Sequence, residues 1–287
     1  QLGTVVVEET AVPVVSSPKQ TAPLLDNPQT ISVIPPAVYQ AQGAQNLFDV
    51  LKNTPGISFD GGENGFAGNS NNFSLRGFDA SSHIFIDGAR DSGSYSRDIF
   101  NVEQVEIAKG AAADNGRGGA GGYVNLVTKS PRLENFIAGS VSYGFDEYDS
   151  KDRRRVSADI NQKLADSTAV RLNLLASDGG KAGRSEVEQD TLGFAPSIAF
   201  GLGTDTRTVL SYQHIEQNDI PDFGVPGATI KDTLRYDAAL RHADRDNFYG
   251  SDADYDDTPS DAVLLRFEHD LSAGTTLSHH TRYAKTV

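Results

Sequence analysis

From Asn135 onward the sequence alternates apolar and polar side chains with a period of two, and this pattern limits the possible folds most strongly. Successive side chains of a β-strand point to opposite faces, so the period indicates strands with one apolar and one polar face. In residues 136–145, for example, Ile137, Val141 and Tyr143 share one face. The pattern predicts seven strands, near residues 136–145, 154–163, 168–177, 190–201, 206–217, 261–270 and 275–286.

The connections between these strands alternate between short and long. Tight turns are expected at residues 165–167, 201–205 and 272–274, and longer loops rich in Asp and Gly at residues 146–153, 177–189 and 218–260. Outer-membrane barrels have short turns on one side and long loops on the other. The pattern therefore predicts antiparallel transmembrane β-barrel strands, and a periplasmic or secreted β-sandwich is the alternative. Seven strands would leave an open edge, so we expect a fragment that aggregates when expressed alone.

Composition excludes several classes of function. The 287 residues include 39 acidic and 25 basic side chains, a net charge of −14, and this charge opposes binding to nucleic acid. The absence of Cys excludes disulfides, thiolate zinc sites and a cysteine nucleophile. No apolar run approaches the about 18 residues of a transmembrane helix. No signal peptide precedes Gln1, so we expect that any such peptide has been removed.

Two different regions precede the strands. Residues 1–28 are rich in Pro, Ser and Thr and are predicted to form an extended tail. Residues 29–131 are predicted to form a small α+β domain, and residues 132–287 hold the seven strands. The predicted elements of the α+β domain are a strand at 30–34, a helix at 44–51 and strands at 73–78, 84–87, 102–108 and 123–128. The polar loops between them, at 61–72, 88–98 and 110–122, are expected to face solvent.

No catalytic or metal-binding site is predicted. A G-x-G-x-x-G pattern at residues 116–121 precedes a strand, whereas a dinucleotide site requires a helix there. The acidic residues 252–256 begin like a calcium loop, but Asp257 occupies the position of the required Gly. His279 and His280 are adjacent in a strand and therefore point to opposite faces.

The loop at residues 88–98 carries the clearest candidate ligand contacts. Arg90, Tyr95 and Arg97 lie close together there, in an otherwise acidic protein. Cations beside an aromatic ring suit an anionic aromatic ligand, through charge-assisted hydrogen bonds and stacking. The alternative is that the two arginines pair with Asp91 and Asp98 in simple salt bridges.

Several stretches resemble the TonB-dependent outer-membrane receptors, and within them the catecholate siderophore receptor branch. The resemblance covers nearly the whole chain. The matching stretches are Leu24–Ile34, Gln42–Leu47, Leu75–Phe78, Ile86–Gly88, Asp91–Asp98, Val102–Gly110, Ala195–Gly203, Asn247–Gly250 and Leu265–Asp270.

The resemblance implies an α+β plug domain inside a barrel of about 22 strands, of which this chain would hold the plug and the first seven strands. It implies that Thr4, Val5, Val6, Val7 and Glu8 form a TonB box, which pairs by strand addition with the periplasmic protein TonB. It also implies a latch in which Arg76 and Arg117 pair with carboxylates of the barrel wall, expected beyond Val287.

The implied function is uptake of a ferric siderophore, with no enzymatic step and no covalently bound cofactor. Iron would arrive as the ferric siderophore, and the candidate ligand contacts are Arg90, Tyr95, Arg97, Asn64 and Phe66. The implied partners are TonB with ExbB and ExbD, and the lipid and lipopolysaccharide of a Gram-negative outer membrane. The alternatives are a receptor for a hydroxamate siderophore, haem or a glycan, and an extracellular adhesion domain.

Overall fold

The computed structural model describes residues 15–17, 24–27, 29–59, 72–93, 95–110, 119–148, 150–222, 224, 247–251 and 253–287. Within these residues, a single 3-10 turn (Leu24–Asp26) precedes the predicted α+β domain, which has two short α-helices, α1 (Pro36–Ala41) and α2 (Leu47–Leu51). Its strands are β1 (Thr30–Ile34), β2 (Ile57–Phe59), β3 (Phe73–Leu75), β4 (Phe78–Asp79), β5 (Ile84–Ile86), β6 (Ala89–Arg90), β7 (Val102–Lys109) and β8 (Gly122–Thr128).

A five-stranded sheet with the order β1-β7-β8-β5-β6 forms the centre of this α+β domain. β7 pairs antiparallel with β1 and β8, and β5 pairs parallel with β8. Val105 and Ile107 of β7 point into the main core, where they meet Leu47 and Leu51 of α2. Phe73 of the small β2-β3-β4 sheet is fully buried in the same core. The predicted α+β architecture is therefore confirmed.

Local chemistry explains where the helices and turns differ from prediction. The predicted helix 44–51 begins later, because the Asn46 side chain caps it by accepting a hydrogen bond from the Asp49 amide at 3.0 Å. Helix α1 was not predicted, although Pro36 at its first position is a typical start signal. The predicted strand 73–78 is a hairpin instead, because Arg76 and Gly77 adopt left-handed φ angles of 54° and 80°.

The second region is a seven-stranded antiparallel sheet in which consecutive strands are neighbours. This sheet confirms the seven predicted strands. They are β9 (Phe136–Gly144), β10 (Arg153–Ala165), β11 (Thr168–Asp178), β12 (Glu188–Phe200), β13 (Thr206–Ile220), β14 (Asp256–Ser272) and β15 (Thr275–Thr286). The β13–β14 ladder continues to the pair Asp219–Asp256, so the long connection begins later than predicted. Backbone pairing does not depend on apolar alternation, and polar residues can extend a ladder.

The two faces of this sheet differ in polarity, as the alternation predicts. The outer face is apolar and exposed, with Ile137 and Val141 both about four-fifths accessible, at 81% and 80%. The inner face is polar and covered, and Asn161, Arg171 and Asn173 on it are buried. An exposed apolar band backed by a polar inner face is the arrangement of a transmembrane barrel wall. We call these seven strands the wall.

The α+β domain, residues 29–131, is called the plug below. It packs against the inner face of the wall. Phe100, just before β7, forms a buried apolar cluster with Leu175, Ala195 and Ile215 of three wall strands. Gly193 makes room for the ring, since a Cβ atom at that position would lie 3.0 Å from Phe100 Cζ. Sequence alternation identified the inner face, but not this contact. Among the helices described here, none combines the length and apolar character needed to span a membrane.

The outer face predicts how the wall responds to charge. Leu174 lies near the middle of β11 and is exposed on the apolar face. Leu174→Arg in the full-length protein should lower the free energy of unfolding from lipid vesicles by about 2–4 kcal/mol, because the bilayer midplane cannot solvate a guanidinium. Ser167→Arg, in the tight turn before β11, is the control and should cost at most about 1 kcal/mol. Equal losses for the two variants would mean that this face does not meet lipid.

Candidate ligand loop and plug–wall interface

The candidate ligand loop, residues 88–98, begins at a hairpin turn that is held by hydrogen bonds. Asp87 and Gly88 join β5 to β6 with φ angles of 48° and 76°, the left-handed pair of a tight two-residue turn. The Asp87 carboxylate is buried and accepts hydrogen bonds from the Thr128 amide at 3.0 Å and the Thr128 hydroxyl at 2.7 Å. The turn is therefore attached to the end of β8.

Asp91 is the centre of a buried polar cluster just beyond this turn. One carboxylate oxygen accepts hydrogen bonds from Arg97 Nε and the Tyr95 hydroxyl, each at 2.8 Å. The other accepts from Arg282 of β15 at 3.1 Å, so the cluster joins the loop to the wall. Arg97 also donates to the Gly93 carbonyl at 2.6 Å and lies over the Tyr95 ring, with its guanidinium carbon 4.4 Å from the centroid.

This cluster overturns the expectation that the loop faces solvent. Asp91, Tyr95 and Arg97 are 5%, 5% and 3% exposed. A polar loop can be buried in this way because nearly every charge in it has a partner. For Arg97, the salt bridge with Asp91 is the alternative that the sequence left open. The ligand role of Tyr95 and Arg97 stays a prediction, and it would require the cluster to open.

Arg90 differs from Arg97 in that its side chain is exposed. It donates to the Ser82 carbonyl at 2.5 Å and lies over the Phe85 ring, with its guanidinium carbon 5.0 Å from the centroid. The predicted alternative of an Arg90–Asp91 pair is not what the structure shows. A cavity of about 430 Å³ lies beside Arg90, between the loop and β15, and Asp91 and Arg282 also line it.

Three of the described ion pairs between plug and wall join a plug carboxylate to an arginine of a wall strand. Asp98 forms a two-point ion pair with Arg155 of β10, with N–O distances of 2.7 and 2.8 Å. Glu103 pairs with Arg171 of β11 at 3.2 Å, and Asp91 pairs with Arg282 as described above. This polarity is opposite to that of the predicted latch, in which the plug supplies the arginines.

The predicted latch residues are placed as follows. Arg76 is exposed in its hairpin turn, where its side chain approaches Gly56 and Gly110, and within the described part of the chain no carboxylate pairs with it. Its pairing with the wall stays a prediction. Arg117, Asn64, Phe66 and the TonB box residues Thr4–Glu8 lie outside the described residues.

Lys129 provides the opposite kind of contact, from the end of the plug to the wall. Its ammonium group lies 3.1 Å from Asp159 of β10, 3.1 Å from the Asn173 side chain and 2.8 Å from the Phe100 carbonyl. Burial lowers the pKa of Lys129, and the Asp159 charge opposes that shift. Asp159 also forms a two-point pair with Arg171. No sequence pattern predicts this network, because its members lie far apart along the chain.

A polar cleft of about 180 Å³ separates the plug from the wall near the long connections. Asn46 and Asp98 line it from the plug, and Arg153, Arg155 and Asp219 line it from the strand ends. The candidate ligand loop therefore lies at the end of the wall from which the long connections leave. Among the residues that the structure describes, no three His, Cys, Asp or Glu side chains are grouped closely enough for a metal ion.

The burial of Tyr95 leads to a pH prediction. Burial raises its pKa from 10.0 to about 12, with Asp91 adding to the rise and Arg97 opposing it. The folded state therefore holds this proton more tightly than the unfolded state. The stabilisation is complete below pH 10 and is lost as the pH rises towards 12. In an ultraviolet titration of the full-length protein, Tyr95→Phe should remove one tyrosine that ionises near pH 12. If the substitution instead removes a tyrosine that ionises near pH 10, the Tyr95 hydroxyl is exposed to solvent.

Comparison with known proteins agrees with this architecture. The family profile described as TonB-dependent Receptor Plug Domain matches residues 23–123. The chain is 43% identical over 278 residues to the catecholate siderophore receptor Fiu of Escherichia coli K12. It is 35% identical over 278 residues to PiuA, a probable TonB-dependent siderophore receptor of Acinetobacter baumannii. These alignments cover 94% and 93% of this chain but only 36% of each relative, so the chain spans about a third of their length.

Solved structures give the same result. The closed form of the ferric-catecholate import receptor Fiu of E. coli superposes with a TM-score of 0.86 at 41% identity, covering 95% of this chain and 39% of that one. The siderophore receptor PiuA of A. baumannii gives a TM-score of 0.84 at 34% identity, covering 96% and 39%. The chain therefore belongs to the TonB-dependent receptors of the Gram-negative outer membrane, and it carries their plug domain and seven wall strands.

Proposed function

We propose that the receptor containing this chain binds ferric catecholate siderophores at the cell surface and imports them with energy supplied through TonB. The observation that carries the proposal is a plug domain held by buried ion pairs against the polar face of a membrane wall. The 43% identity with a catecholate siderophore receptor supports the choice of ligand. No chemistry is performed on the ligand in this proposal, and iron is cargo rather than a resident cofactor.

The charges around the candidate ligand loop support an anionic ligand. Two guanidinium groups, those of Arg97 and Arg282, bind the Asp91 carboxylate, and Arg90 lines the adjacent cavity. Three arginines thus lie at or near this cavity in a chain with a net charge of −14. The open loop surface includes Ser92, which is small and would let a bulky complex approach. A ferric catecholate combines negative charge with aromatic rings, and both suit these residues.

Transport in this proposal depends on the N-terminal tail. The β-branched residues of Thr4–Glu8 would add as a strand to TonB, which works with ExbB and ExbD on the inner membrane. Force on the tail would then move the plug away from the wall. The apolar outer face of the wall would meet outer-membrane lipid and lipopolysaccharide throughout this cycle.

The ligand site is tested by removing one charge at a time. Arg90→Ala should weaken binding of a ferric catecholate to the full-length receptor by about tenfold to a hundredfold, because a charge-assisted hydrogen bond contributes about 1.5–3 kcal/mol. Arg97→Ala should weaken it comparably if the Asp91 cluster opens to the ligand. The measurement is a fluorescence titration, repeated with a ferric hydroxamate to test ligand class.

Lys52→Ala is the matched control, since Lys52 is an exposed plug cation whose ion pair is with Asp49 of the neighbouring helical turn. It should bind ferric catecholate as the parent does. If both arginine variants remain folded and bind within twofold of the parent, recognition lies elsewhere. Tighter binding of the hydroxamate than of the catecholate would contradict the ligand class and leave the transport proposal intact.

The coupling segment is tested with proline. Val6→Pro should abolish uptake of labelled ferric siderophore by whole cells and leave binding at the surface unchanged, since proline cannot donate a ladder hydrogen bond. Gln20→Pro, in the proline-rich part of the tail, is the control and should transport normally. Unchanged uptake by Val6→Pro would show that this segment does not pair with TonB.

A further inference from the structure

A buried carboxylate on the plug holds a piece of the N-terminal tail. Glu106 of β7 is 2% exposed and points away from the main core. One of its oxygens accepts a hydrogen bond from the backbone amide of Ser16 at 2.6 Å, across 90 residues of sequence. The same oxygen accepts from Gln104 Nε2 at 2.8 Å, and the other oxygen accepts from Asn125 Nδ2 at 2.9 Å.

The partners of Glu106 are all neutral donors. Within the described residues no cation forms an ion pair with this carboxylate, and the apolar residues Phe85, Ala108 and Tyr123 form a small cluster on the same side of the sheet. A buried carboxylate needs several hydrogen bonds to offset its lost hydration. The Ser16 amide is one of three such donors. Because this donor is a backbone group, the contact does not depend on the Ser16 side chain.

The same hydrogen-bond network reaches the candidate ligand loop. Asn125 uses its amide nitrogen for Glu106 and its oxygen for the Gly88 amide, at 2.9 Å. The orientation of this side-chain amide is determined by its partners, because Gly88 requires an acceptor and Glu106 requires a donor. Gly88 begins the loop that carries Arg90 and Asp91. A continuous chain of three hydrogen bonds therefore runs from the turn of that loop to the tail.

We propose that Glu106 is the docking site of tail residues 15–17, and that Asn125 links occupancy of this site to the position of the Gly88 turn. The docking rests on geometry alone, whereas its consequence for transport rests on the proposed function. A displacement of Gly88 by ligand would pull the Asn125 amide from Glu106. The carboxylate would then hold the tail less firmly.

Docking at Ser16 sets how far the tail can extend from the plug. After residues 15–17, the described chain resumes at Leu24, eight residues beyond Ser16. An extended chain spans about 3.3–3.6 Å per residue, so release at Ser16 adds up to about 26–29 Å to the reach of everything before it. The predicted TonB box at Thr4–Glu8 precedes Ser16 and would therefore gain this additional reach. The Glu106 site would thus control access of the tail to its periplasmic partner.

The test measures exposure of the docked segment in the full-length receptor in outer-membrane vesicles. Val15→Cys places a thiol beside Ser16, and its reaction rate with a water-soluble maleimide reports release, after subtraction of the rate of the receptor without this substitution. Adding Glu106→Gln keeps the side-chain shape but removes the charge and one acceptor. It should accelerate labelling without ligand by about tenfold, and ferric catecholate affinity should stay at the parent value.

Glu103→Gln is the matched control, because Glu103 lies on the same strand but pairs with Arg132 and Arg171 rather than with the tail. It should leave labelling at the parent rate. If folded Glu106→Gln and Glu103→Gln receptors label within twofold of each other, Glu106 is not the docking site. A circular dichroism spectrum of each purified variant equal to that of the parent serves as the folding check, which needs no ligand.

The link to the loop is tested by adding ferric catecholate. The ligand should accelerate labelling of the Val15→Cys receptor, and Asn125→Leu, which removes both hydrogen-bonding groups at similar volume, should abolish that acceleration. An unchanged response in Asn125→Leu, or a bound ligand that does not alter labelling of the parent, would overturn the link. If no ferric siderophore binds at all, the proposed function fails, and the comparison without ligand still decides the docking site.

Discussion

The attachment of the plug to the wall depends on ion pairs between carboxylates and guanidinium groups that are shielded from water. Asp91, Asp98 and Glu103 of the plug meet Arg282, Arg155 and Arg171 of three different wall strands. A polar inner face and a polar plug surface can be brought together only if their charges pair, because unpaired buried charges are costly. These pairs therefore determine where the plug sits and which of its loops point towards the long connections.

This type of interface suits a plug that must be both well placed and movable. Buried ion pairs are specific in geometry, but their net contribution to stability is small because desolvation offsets much of the attraction. Apolar packing between plug and wall is confined in the described residues to the cluster around Phe100. A plug held mainly by apolar contacts would resist displacement more strongly, since apolar burial carries no comparable desolvation cost. The polar interface is thus consistent with a domain that shifts during transport.

Several features were predictable because they depend on neighbouring residues. The seven strands follow from alternation along each segment. The two-residue turn at Asp87–Gly88 was not predicted, because the strand at 84–87 was extended through Asp87 and the next residues were assigned to a loop. The helix α2 was predicted one turn too long because the capping role of Asn46 was not recognised. The hairpin at Arg76 was missed because a left-handed arginine is rare and the sequence around it continues the strand pattern.

The order of side chains along the chain thus establishes the wall, its apolar and polar faces and the α+β character of the plug, since each depends on contacts within a few residues or between adjacent strands. Tertiary structure alone decided that Tyr95 and Arg97 are buried, that the wall supplies the arginines of the described plug–wall pairs, and that Glu106 holds the tail. The partners in these contacts are separated by 57 residues for Asp98 and Arg155, 90 for Ser16 and Glu106, and 191 for Asp91 and Arg282. Nothing in a local pattern encodes such partners, because folding of the whole chain is what brings them together.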